Sequence, residues 1–335
     1  MTGVRAGGRP VVLAGVAVLL FLIWSNSFVA VSFLLGGEGA PARFDWVGLT
    51  IARFQPAAVI CAGYCLTRRR EALAILREHP LRLAVAGLLA VPAYNLALYY
   101  GQQHGVPAPV ASVTTGLAPL FLMLLSAAFL GERLTAARLL GFAVAAAGLV
   151  VIAGAREDDP NAGPAGYATV VAVTTLAPLS WSLFSILTKP LTARVSPLLW
   201  TYLAIVVGTL PILPLLPIAG GAELTGLDAA GWGALLFLSV PCTVLGFALW
   251  TWLLGHLPAS TVGLTVFLNP PLTTLSKLVL ATLFPASFLF VLRTGEWIGG
   301  ALTLVGLAIA ILGSVGSAGS GRRRAPRVAP ASPAG

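Results

Sequence analysis

Apolar residues in this chain do not alternate with polar ones; they run together in blocks of about twenty, parted by short polar or Gly- and Pro-containing connections. A helix rises about 1.5 Å per residue, so each block can cross roughly 30 Å of hydrocarbon. Blocks fall at 11–35, 47–66, 82–101, 108–130, 136–154, 166–188, 197–217, 231–254, 259–283 and 297–316. The pattern predicts an all-α integral membrane protein of ten transmembrane helices. Arg5 and Arg9 before the first run also suit a secretory signal peptide. That run continues to about Leu35 and more apolar blocks follow it, so it reads as a retained span.

The blocks fall into two halves with matching punctuation. Trp24-Ser25 pairs with Trp181-Ser182, and Pro107-Ala108 pairs with Pro258-Ala259. Pro119 and Pro270 each lie 12 residues past those prolines, and Gly141 and Gly148 share the spacing of Gly299 and Gly306. An odd number of spans per half reverses the second half, so the prediction is two inverted five-helix repeats. The intended division is an N-terminal cytoplasmic tail at 1–10, a first repeat at 11–154, an external linker at 155–165, a second repeat at 166–316 and a disordered basic cytoplasmic tail at 317–335. Pro119 to Gly141 spans 22 residues and Pro270 to Gly299 spans 29, which places an insertion of seven around residues 284–293.

Composition supports the same picture. Of 335 residues, 58% are hydrophobic and 9% charged, far below the roughly quarter charged in soluble domains. The net charge of +9 could otherwise suggest nucleic acid, but the cations sit in short loops beside apolar runs, so no nucleic-acid partner is expected. With the N-terminus inside, 15 Lys and Arg fall in cytoplasmic segments and 3 in external ones, Arg43, Arg156 and Arg293. This asymmetry predicts a multi-pass protein of the plasma (inner) membrane with both termini cytoplasmic. Cys61, Cys65 and Cys242 lie within spans and lack acidic or His neighbours, so they read as packing residues; no metal or cofactor is expected.

The residues also resemble the drug/metabolite transporter superfamily, specifically its ten-helix EamA-type members. The resemblance rests on Trp24-Ser25-Asn26-Ser27-Phe28, Tyr94-Asn95, Ala118-Pro119-Leu120, Gly131-Glu132-Arg133-Leu134, and Gly141 with Gly148. In the second half it rests on Trp181-Ser182, Phe247 to Trp252 and Phe267-Leu268-Asn269. Arg53 occupies the family's usual basic position in the second helix. The second half departs where a further Gly-Glu should follow the ninth helix, because Gly295-Glu296 stands too close to Gly299. The resemblance implies export or exchange of small polar metabolites, such as amino acids, by alternating access.

Polar groups at membrane depth are the candidate chemistry. Asn26, Asn95, Tyr99, Trp24, Trp181 and Trp250 are the candidate substrate-binding set, with interhelical hydrogen bonding or an interfacial belt as the alternative for each. Arg53 and Lys277 are placed at the outer cavity mouth, where they could meet a cargo carboxylate or snorkel to headgroups. His104 and His256 fall at helix ends. The glycines at 141, 148, 154, 299, 306 and 313 are packing surfaces that suit a homodimer. No acidic residue lies in a predicted span and no catalytic set emerges. A secondary transporter acting on a small-molecule substrate is therefore the leading reading; a passive channel-like facilitator and a membrane-embedded enzyme or assembly factor are its rivals.

Overall fold

A segment that is apolar on every side must be satisfied within its own backbone and faces lipid or other helices, which favours long helices. The computed structural model describes residues 8–37, 41–130, 136–155, 166–219, 226–257, 259–283 and 292–321. Its first half comprises α1 (Gly8–Leu34), α2 (Trp46–Thr67), α3 (Arg69–Glu78), α4 (Pro80–Leu88), α5 (Tyr94–Gln103), α6 (Ala108–Thr115), α7 (Ala118–Leu130) and α8 (Ala136–Gly154). The second comprises α9 (Gly166–Thr188), α10 (Pro197–Thr209), α11 (Ala229–Phe237), α12 (Gly246–His256), α13 (Ala259–Leu264), α14 (Asn269–Leu283) and α15 (Thr294–Gly321).

Among the described residues, seven segments are long and apolar enough to cross a membrane: Val11–Leu34, Trp46–Thr67, Pro80–Gln103, Ala108–Leu125, Gly166–Ala193, Pro197–Ile218 and Ala229–His256. The other predicted spans coincide with α8, with α13 plus α14, and with α15. Large apolar side chains such as Val11, Val59, Leu66, Leu81, Leu210 and Ile218 are exposed, as a lipid-facing surface requires. Residues Gly131-Glu132-Arg133-Leu134, most of the 155–165 linker, residues 284–291 of the insertion and the tail from 322 lie outside the described residues.

Three departures from the sequence expectation have local causes. Residues 69–78, expected as a loop, form the amphipathic α3, which buries Ala72 and Ile75 and leaves its charges outward. The third and eighth predicted spans are not regular α-helices: each contains a π-helical turn built around a proline, Leu89–Ala93 around Pro92 and Leu238–Leu245 around Pro241. The fourth and ninth are interrupted, by Gly116-Leu117 between α6 and α7 and by a 3-10 stretch, Thr265–Leu268, between α13 and α14. Pro119 and Pro270 follow those interruptions; each lacks the N–H that a continuous helix would offer to Thr115 and Val266 respectively.

Helices pair across the halves with a two-fold pattern. Segment α2 packs on α10, α8 on α15, and α6–α7 on α13–α14. The contact of α5 with α9 is mirrored by that of α12 with α1, and α7 with α9 by α14 with α1. The α8–α15 seam is closed by glycine: a Cβ on Gly148 would lie 2.6 Å from the Thr303 nitrogen, and one on Gly306 would lie 2.9 Å from the Ala145 Cα. Thr303 then donates to the Gly299 carbonyl at 2.8 Å. Gly141, Gly148, Gly299 and Gly306 thus meet one another within one chain.

At the end where α2 and α11 begin, Asp45 and Asp228 cap the helices by accepting from the Gly48 and Gly231 amides. Arg43 forms a bidentate pair with Asp228, at 3.1 and 2.9 Å, and tethers the two halves there. The Arg43 hydrogen bond, aided by the Gly231 amide, holds the Asp228 carboxyl below its usual range.

Candidate functional site

Proline at 92 and at 241 is the local origin of the site. Each π-helical turn leaves backbone carbonyls without their regular helical donors, and a side chain one turn on supplies them. Asn95 donates its Nδ2 to the Ala90 and Val91 carbonyls, at 3.2 and 2.8 Å. In the second half Thr243 donates its hydroxyl to the Leu238 carbonyl at 2.8 Å.

Both of these side chains also accept from Arg53 of α2. Its Nε donates to Thr243 Oγ1 at 2.8 Å and its Nη1 to Asn95 Oδ1 at 3.3 Å, while Nη1 also donates to the Tyr99 hydroxyl. Arg53 is 5% exposed, so its charge is held inside the protein and does not snorkel to a surface. A guanidinium has five N–H donors. Three are spent on these neutral groups, and the two on Nη2 have no hydrogen-bond partner among the described residues. Neither of the ion pairs among the described residues includes Arg53. Among the described residues no carboxylate pairs with this buried positive charge.

Arg53 lines a small cavity of about 40 Å³ between the halves. Its walls come from both halves: Trp24, Ser27, Phe28 and Val31 of α1; Tyr94, Leu98, Tyr99 and Gln102 of α5; Thr115 and Ala118 at the α6–α7 break; Pro178 and Trp181 of α9; Phe247 of α12; and Val266 and Asn269 at the α13–α14 break. Both interrupted helices thus end at this space. One wall is aromatic, with Trp24 edge-on to Trp181 at 5.3 Å and Trp181 edge-on to Phe247 at 5.0 Å. The Trp24 indole N–H donates to the Cys242 carbonyl at 3.0 Å, which ties α1 to the Pro241 turn.

Of the residues expected at the site, Trp24, Tyr99, Trp181 and Arg53 come together on this cavity. Asn95 and Trp250 have no exposed surface and sit behind the wall, Asn95 against Arg53 and Trp250 with its N–H on Ser185 Oγ at 3.2 Å. Asn95 thus makes the interhelical hydrogen bond that was its alternative to lining the cavity. Asn26 is on another side of α1, in an apolar groove with Phe33, Ala234, Phe237 and Leu280, and bonds the Leu22 carbonyl. Lys277 is 2% exposed, one turn past Thr273, whose hydroxyl bonds the Ser25 carbonyl. It is thus inside the protein, and neither it nor Arg53 is an exposed group at a mouth.

Sequence reasoning did not single out Gln102, Thr243, Tyr94 or Phe247 for the cavity or its support. The signal within reach was Pro92 and Pro241, because a proline inside an apolar span followed within a turn by Asn or Thr marks carbonyls that need a donor. His104 and His256 stack on Tyr100 and Trp252 and do not line this cavity. Glu296, counted as external to the spans, lies in the first turn of α15, 3% exposed, where it accepts from the Tyr167 hydroxyl at 3.3 Å and the Arg293 amide at 2.8 Å. Among the described residues no group of three or more His, Cys, Asp or Glu could hold a metal ion.

Comparison with known proteins gives a consistent set of relatives. The model of the EamA-like transporter family matches twice, over residues 13–154 and 168–317. A "Probable terminal-alkyne amino-acid exporter" of Streptantibioticus cattleyicolor is 32% identical over 295 residues, which cover 87% of this chain and 91% of that protein. A "Probable amino-acid metabolite efflux pump" of Salmonella typhimurium is 29% identical over 66% of this chain and 75% of its own. The protein of the same description from Escherichia coli is 25% identical over 89% and 94%. One solved crystal structure shares the fold, with a TM-score of 0.60 over 90% of this chain and 97% of its own at 22% identity.

Proposed function

The chain belongs to the EamA-like transporter family, and from that premise we propose that it exports or exchanges small carboxylate-bearing metabolites of the amino-acid type by alternating access. It is a multi-pass membrane transporter and not an enzyme. The reading includes ten crossings in two inverted five-helix repeats, with both termini cytoplasmic and the plasma membrane as its location. The doubled family match, the mirrored contacts of α5 with α9 and α12 with α1, and the 15-to-3 distribution of Lys and Arg support it. A cysteine at position 158 then reacts with an impermeant reagent from the outside only; labelling from the cytoplasm alone would reverse the orientation.

One observation carries the choice of cargo. Arg53 is buried at a cavity shared by both halves, and among the described residues its hydrogen-bond partners are neutral and two of its N–H groups are unspent. A carboxylate can take a planar pair of guanidinium donors and neutralise the charge at the same time. The aromatic wall accommodates an apolar side chain, in keeping with relatives described as amino-acid exporters.

Proteoliposomes preloaded with unlabelled amino acids test this. Saturable counterflow of labelled amino acid is expected, and Arg53→Met reduces it about a hundredfold by removing the charge-assisted bonds. Flux that rises linearly with concentration and ignores the opposite-side pool means a channel, and full counterflow in Arg53→Met sinks the carboxylate role.

A further inference from the structure

Among the described residues, three buried side-chain oxygens lack a hydrogen-bond partner: Gln102 Oε1, Asn269 Oδ1 and Thr251 Oγ1. The first two belong to residues that line the Arg53 cavity, one from each half of the chain. Both residues are more than nine-tenths buried, at 3% and 4% exposed. An unpaired buried acceptor costs about 1–3 kcal/mol, and native proteins keep few of them, so two in one cavity call for a donor that arrives from outside the chain.

The orientation of Gln102 is set by its other end. Its Nε2 donates to the Phe28 carbonyl at 2.9 Å, so exchanging O and N would put two oxygens face to face. The carbonyl oxygen is therefore the atom left over. Asn269 opens α14 beside Pro270, at the break where the chain leaves its regular hydrogen-bond ladder.

A cation beside Arg53 would be repelled unless acceptors hold it and an anion lies between. We infer that Gln102 and Asn269 receive the ammonium group of the cargo while Arg53 receives its carboxylate, so that the site selects molecules with a free amine and rejects deaminated or N-acylated ones. This rests on the carboxylate reading of the cavity and extends it to the opposite charge. Neutral carbonyl acceptors suit a carrier, because they recognise an ammonium without the tight ion pair that a buried carboxylate would form. Among the described residues, no acidic one lines the cavity.

The test is equilibrium binding to the purified full-length chain in detergent, followed by tryptophan fluorescence, with phenylalanine, 3-phenylpropionate and N-acetylphenylalanine as probes. Wild type is expected to bind phenylalanine about ten- to a hundredfold more tightly than either analogue, the range of a hydrogen-bonded charge. Asn269→Leu and Gln102→Leu bring the ratio toward one by weakening phenylalanine alone, leaving 3-phenylpropionate dependent on Arg53. Because Gln102 also ties α5 to α1, Asn269→Asp serves as a second variant: it keeps the shape and should tighten binding of phenethylamine, which has the amine and no carboxylate. Equal affinity of wild type for phenylalanine and 3-phenylpropionate overturns the ammonium site and leaves the carboxylate reading standing, as does a wild-type ratio in both leucine variants. Failure of wild type to bind either carboxylate overturns both.

Discussion

Two pairs of repeat-related helices solve opposite problems. The α8–α15 pair runs without interruption, and its glycines bring backbone against backbone, with Thr303 bonding across and along the seam. The α4–α5 and α11–α12 pair is bent by proline, and each bend leaves carbonyls that Asn95 or Thr243 must satisfy. Only the bent pair reaches the buried guanidinium. An uninterrupted helix presents side chains alone, whereas an interrupted one also needs polar side chains nearby, and those can turn a second hydrogen bond toward a cavity.

This contrast predicts unequal sensitivity. Gly148→Val should destabilise by about 3 kcal/mol in detergent melting, because the added carbons meet backbone atoms that cannot move aside. Gly154→Ala, with nothing within 4 Å of its added carbon, should change stability by no more than about 1 kcal/mol. Similar losses in the two variants would mean that α8 and α15 are not closed by glycine.

The two proline turns should also differ from each other. Asn95→Ala removes the donor to two carbonyls and one acceptor for Arg53, an expected loss of about 3 kcal/mol together with most of the counterflow. Thr243→Val removes one donor and one acceptor while preserving shape, so about 1–2 kcal/mol is expected, with counterflow reduced less. Thermal melting of the pair beside counterflow per folded molecule decides it. If Asn95→Ala melts like wild type and Thr243→Val does not, the second-half turn is the one that secures Arg53.

The apolar blocks alone foretold the helices, since a chain that is 58% hydrophobic in runs of about twenty can satisfy its backbone in lipid in few other ways. The repeated Trp-Ser, Pro-Ala and Gly spacings likewise announced the doubling that the family match reports over residues 13–154 and 168–317. Burial was less legible. Asn26 and Asn95 look alike as amides in apolar spans, yet one faces an outer groove and the other is sealed against Arg53.

What the sequence by itself determined is whatever depends on a residue and its near neighbours: the length of the apolar runs, the repeated Trp-Ser, Pro-Ala and Gly spacings, and the bias of positive charge among loops. Tertiary structure alone decided where Arg53 points, because its partners lie 42, 46 and 190 residues away and become neighbours only when α2 packs against α5 and the Pro241 turn. It also decided that Gln102 keeps an oxygen in reserve, since its nitrogen is claimed by a carbonyl 74 residues distant. Hydrophobic runs are one-dimensional properties of the chain, whereas a hydrogen bond needs two groups at one point in space, and that point is set by packing.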